Sequence, residues 1–79
     1  MHDVTVRYWA AAQAAAGTHE ETLPATDLDQ LRAAALQAHP GLDQVLQLAS
    51  FLLDGRRVDG AAALPAGSVV EVLPPFAGG

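Results

Sequence analysis

Val69-Val70-Glu71-Val72-Leu73-Pro74-Pro75-Phe76-Ala77-Gly78-Gly79 closes the chain. Four of its first five residues are valine or leucine, and the run alternates, which predicts a strand. Val70 and Val72 fall on one face of it, and Val69, Glu71 and Leu73 on the other. Pro74 ends the strand, because its ring fixes φ and its nitrogen has no hydrogen to donate. A second proline stiffens the exit. Gly78 and Gly79 carry no Cβ, so another protein could close around the backbone there. At ~3.3–3.6 Å per extended residue, the six residues after Leu73 reach roughly 20 Å, the depth of an enzyme cleft. Chain ends commonly fray. Prolines set directly on a strong strand argue here for a built stalk. One domain over residues 1–79 is expected, with a flexible tail over 74–79.

Working back from that strand, Val4, Val6 and Tyr8 alternate with Thr5, Arg7 and Trp9, which predicts a second strand near the start. Ala10 to Ala16 favours a short helix, stopped by Gly17. Thr18 to Leu23 predicts a further strand, ended by Pro24, with His19, Glu21 and Leu23 on one face. Thr26 or Asp27 opens the main helix: Thr26-Asp27-Leu28-Asp29 offers a side-chain cap, and Asp27-Leu28-Asp29-Gln30 has capping-box spacing. Leu28, Leu31, Ala35 and Ala38 share one side of that helix, and Pro40-Gly41 stops it. Leu42 to Ala49 predicts another short helix. Ser50 to Leu53 and Arg56 to Val58 flank the turn signal Asp54-Gly55. The pattern is α+β, with one main helix packed on one face of a mixed sheet.

Composition bounds the function. A chain of 79 residues makes one small domain, which buries only about 60% of its unfolded surface. There is no cysteine and hence no disulfide, zinc-thiolate site or thiol nucleophile. Net charge is −5, and Arg7, Arg32, Arg56 and Arg57 are the basic residues. That balance argues against nucleic acid and favours a partner with a basic docking surface. The opening residues alternate and do not form the apolar core of a signal peptide. The stretch from Leu42 to Leu53 is too short and too polar to span a bilayer. A cytoplasmic protein without membrane contact is expected.

Residues able to carry catalysis are few. His2, His19 and His39 have no metal-ligand spacing, so no metal is expected. Ser50 and Ser68 lie in no nucleophile-elbow pattern. Asp27 and Asp29 suit a helix start, and Arg56-Arg57 a solvated tip. No catalytic site of the chain's own is expected. The reactive group that remains is the carboxylate of Gly79, ionised at neutral pH. A carboxylate is a poor acyl electrophile until it is activated, for example as an acyl-adenylate made from ATP. A sulfur nucleophile can then displace the nucleotide. A Cβ at Gly78 or Gly79 would hinder both steps.

The Val-x-Val-x-Tyr-Trp-Ala opening, the Gly17-Thr18 turn, the single central helix and the strand-Pro-Pro-x-x-Gly-Gly ending carry a resemblance. The chain resembles the MoaD/ThiS family of ubiquitin-like sulfur carriers, and within it the small subunits of molybdopterin synthase. The resemblance implies a β-grasp fold. It implies that an E1-like enzyme adenylates Gly79, that a sulfur donor protein supplies the sulfur of a thiocarboxylate, and that the large synthase subunit accepts it for molybdopterin. It implies no bound cofactor, ATP being used by the activating enzyme. Phe76 stands where a smaller aliphatic residue or Thr is more usual, and Leu53-Asp54-Gly55 where a Val-Asn pair is common. Carriers serving thiamine or cysteine synthesis stay open, as does a ubiquitin-like module that binds without chemistry. The double proline favours the molybdopterin branch.

In a β-grasp sheet the first and last strands are neighbours. Trp9 and Leu73 would then lie together on the exposed face at the root of the tail. With Phe76 they form the expected partner interface, and Pro74, Pro75, Phe76, Ala77 and Gly78 form the stalk that presents Gly79.

Overall fold

The structure, a computed structural model, describes residues 2–75. It contains strand β1 (His2–Tyr8), helix α1 (Ala10–Ala16), strand β2 (Glu20–Ala25) and helix α2 (Leu28–Ala38). A 3-10 turn (Pro40–Leu42) leads into helix α3 (Asp43–Leu48), followed by strands β3 (Ser50–Leu53), β4 (Arg56–Val58) and β5 (Val69–Leu73). The strands form one mixed sheet in the order β2-β1-β5-β3-β4. β1 and β5 are parallel, with Val6 opposite Val70 and Tyr8 opposite Val72. The other pairings are antiparallel.

Strand alternation sets the layering. Val4, Val6, Tyr8, Val70 and Val72 are buried, as their phase predicts, and they meet Leu28, Leu31, Ala35, Leu42 and Leu46 from the helices in a single core. The intervening residues lie on the opposite face, which no helix covers; of these Thr5, Val69, Glu71 and Leu73 are half-buried and Arg7 is exposed. The α2 cap forms as its spacing predicts: Asp27 accepts a hydrogen bond from the Gln30 backbone at 2.8 Å. The Gln30 side chain reaches one residue further back, to the Thr26 N–H, at 2.8 Å. At the β3–β4 turn, Asp54 and Gly55 both have positive φ, 47° and 86°. Two such residues make the tight turn whose twist matches a hairpin. Asp54 also ties this turn to β5, donating its N–H to the Val69 carbonyl and accepting from the Val69 N–H.

Two expectations are corrected. The second strand runs over Glu20–Ala25, and Pro24 lies inside it, opposite Asp3. β2 is an edge strand. Tyr8 donates to the His19 carbonyl, so by antiparallel alternation the Asp3–Pro24 pair is one that exchanges no hydrogen bond. The nitrogen of Pro24 therefore faces the open edge, where a missing donor costs the ladder nothing. Second, Ala38 shares the phase of Leu28 and Leu31 but is exposed, because the buried stripe ends at Ala35, before the helix does. The strand and helix patterns left Leu64 unplaced; it is buried although it lies between elements. Its N–H bonds the Thr26 carbonyl, and the Leu28 N–H bonds the Ala62 carbonyl, so this loop laces over the start of α2.

Candidate functional site

The end of β5 is where sequence and structure converge. Parallel pairing with β1 brings Trp9 to the same end of the sheet as Leu73, with the Trp9 N–H on the Val72 carbonyl at 3.2 Å. The Trp9 indole donates to Glu71 Oε2 at 3.0 Å. Its ring stands edge-to-face against His19, with centroids 5.0 Å apart. Trp9 is nevertheless 37% exposed, held at the sheet surface and absent from the core. Leu73 is half-buried beside it. Immediately after Trp9 the chain turns sharply: Ala10 has φ 48°, in the left-handed region that residues with a Cβ rarely adopt. Such strain, of order 1–3 kcal/mol, persists where surrounding structure enforces it. Here it lets α1 start directly at the root of the tail.

The stalk begins inside the body. Pro74 is buried and Pro75 exposed, so the chain emerges between them. Phe76, Ala77, Gly78 and Gly79 lie outside the described residues. On the helix side of the root, Ala10, Ala11, Gln44, Val45, Leu48, Pro74 and Pro75 line an open groove of about 350 Å³. Leu48 is 68% exposed there. The sequence carried one signal of it, an apolar residue on the outward side of a short helix.

A second cluster lies under β1. The Tyr8 hydroxyl donates to Glu21 Oε2 at 2.6 Å, and His39 Nε2 is 2.7 Å from the same oxygen. Tyr8 is fully buried. Burial above all, then the Glu21 hydrogen bond and its negative charge, hold the phenol well above the usual tyrosine range. The cluster joins β1, β2 and the end of α2. Strand phase placed Glu21 on one face with His19 and Leu23, but nothing in the sequence linked it to Tyr8 and His39. Among the described residues no group of three or more acidic or histidine side chains could hold a metal ion. No described helix is long and apolar enough to cross a membrane.

Strand order, a parallel central pair and a helix layer on one face define a β-grasp, ubiquitin-like domain whose last strand feeds an exit stalk. The chain belongs to the ThiS family, which it matches over residues 6–79. It is 33% identical to the molybdopterin synthase sulfur carrier subunit of Chlamydomonas reinhardtii, over 96% of this chain and 98% of that one. Among solved structures it resembles a protein–protein complex of subunits 1 and 2 of the molybdopterin-converting factor from Helicobacter pylori. There the TM-score is 0.74 and the identity 31%, over 98% of this chain and 99% of the matched chain. Small archaeal modifier protein 1 of Methanosarcina acetivorans shares the fold, with TM-score 0.86 at 23% identity, over 100% of this chain and 98% of that one.

Proposed function

We propose that this protein is a sulfur carrier that delivers sulfur from a thiocarboxylate on Gly79, as the small subunit of molybdopterin synthase. The observation that carries the reading is the ending of β5: a strand that leaves the body through buried Pro74 and continues to Gly78-Gly79, beside an exposed Trp9. The family match, which runs through Gly79, and the Chlamydomonas relative support it. The absence of cysteine agrees, since the sulfur must then travel on a group other than a side-chain thiol.

The chemistry needs little from the body. In an E1-like enzyme, a Gly79 carboxylate oxygen attacks the α-phosphorus of ATP and expels pyrophosphate. A sulfur nucleophile from a donor protein then attacks the acyl carbon and expels AMP. If the donor is a persulfide, a thiol must cleave the resulting acyl disulfide to free the thiocarboxylate. The large synthase subunit then receives the tail, and the sulfur passes to a pterin precursor. The domain itself has no active site in this scheme; it supplies a stiff, unhindered acyl group and surfaces for its partners.

The test is ATP–pyrophosphate exchange with the matching activating enzyme. Deleting Gly79 moves the acyl carbon by roughly 3.5 Å, and even 1 Å of misplacement can cost ~100-fold. Exchange is expected to be abolished, and appending a residue after Gly79 should do the same by turning the carboxylate into an amide. Melting temperatures should stay close to wild type. Exchange at the wild-type rate in either variant overturns the sulfur-carrier reading. Sulfur transfer to a thiamine or cysteine precursor, with none to a pterin, moves the protein to a sister pathway.

A further inference from the structure

Two large apolar side chains are exposed among the described residues, Trp9 and Leu48. They flank the root of the tail from opposite layers. Trp9 bonds Glu71 on the open face of the sheet, and Leu48 belongs to α3 in the helix layer. Seven of the described residues line the groove beside Leu48, none of them charged, in a chain that carries −5 overall. α1 has no charged residue at all. The single charge of α3, Asp43, lines a separate cleft beside Arg32. Depletion of charge around an exposed apolar anchor is the composition of an interface core. Pro74 and Pro75 form one wall of the groove. A protein that encloses Gly79 must therefore pass within a few residues of it. The wall is stiff as well, so little ordering entropy is lost on docking.

We propose that this groove docks the protein that receives the tail, which inserts an uncharged apolar side chain between Leu48 and Pro74-Pro75. The partner thus grips the root from both layers, with Trp9 on one side and Leu48 on the other. The long-range field of the acidic chain brings the partner in; the uncharged groove makes the contact. This rests on the sulfur-carrier reading and names a second surface for it.

The experiment titrates the full chain with the large subunit of molybdopterin synthase. Leu48→Glu places a charge in the groove from one wall and Ala11→Glu from the other. Both positions are exposed, so the melting temperature reports whether folding is intact. Each variant is expected to weaken Kd about tenfold or more with an unchanged melting temperature, as for loss of an interface anchor. Gln37→Glu, exposed on α2 and outside the groove, should bind like wild type. Wild-type affinity in both folded groove variants overturns the proposal and leaves the sulfur-carrier reading intact. Self-association of the wild type that Leu48→Glu abolishes, with large-subunit affinity unchanged, assigns the groove to a second copy and also overturns it. A wild-type chain that does not bind the large subunit at all overturns both readings.

Discussion

Tyr8 is the residue on which the interior polar balance turns. Its ring is fully buried, and its hydroxyl has one acceptor, Glu21. Glu21→Ala should leave that hydroxyl without a partner, at a cost of ~1–3 kcal/mol in a denaturant melt. Tyr8→Phe removes the donor too and leaves a Glu21 that is partly exposed, so the loss should be smaller, about 0.5–1.5 kcal/mol. The pH dependence has a definite sign. The folded phenol is held above its ordinary value of about 10, so the folded state retains a proton that the unfolded state releases. This contribution is full below about pH 10 and is lost as pH rises beyond it. Tyr8 is the only tyrosine, so phenolate absorbance reports it without interference. It should appear only as the protein unfolds. Phenolate at the ordinary tyrosine midpoint in folded protein would contradict the burial.

At the scale of elements, α2 is held by its start and by one stripe. Asp27 caps it, and Leu28, Leu31 and Ala35 bury the stripe against the sheet. Asp27→Ala should cost ~1 kcal/mol by freeing the Gln30 N–H. Leu31→Ala should cost ~2–5 kcal/mol, because Leu31 is 1% exposed and its loss leaves a cavity in a close-packed core. A change below about 0.5 kcal/mol for Leu31→Ala would remove this helix from the core. The cap and the stripe were legible in the sequence, since a cap and a 3.6-residue periodicity are local patterns. The true extent of β2 was not. Pro24 reads as a terminator until the sheet order makes β2 an edge strand whose outward nitrogen needs no partner.

For the whole molecule, the consequence of strand order is that the first and last strands run side by side and end together. Trp9 thereby reaches the root of the tail, 37% exposed, with its indole held by Glu71 and His19 at the surface. Trp9→Ala should weaken binding to the large synthase subunit more than it destabilises the fold. Calorimetric titration against that subunit, beside a melt of the free chain, separates the two effects. An unchanged Kd would remove Trp9 from the interface; a large fall in melting temperature would make it a structural cover.

Sequence alone determined what local periodicity and backbone chemistry encode. Val4, Val6 and Tyr8 had to share one face of their strand, and Val70 and Val72 one face of theirs, because strand side chains alternate. A side-chain cap had to fall at Thr26 or Asp27, Asp54-Gly55 had to turn, and a strand running into two prolines had to stop before Gly78-Gly79. Tertiary structure alone decided what depends on partners distant in the chain. The burial of Pro74, the groove beside Leu48, the closing of Leu64 over α2 and the meeting of Tyr8, Glu21 and His39 each join separate elements. No periodicity within one segment carries information about which other segment will lie against it; the packing of the sheet and helices supplies it.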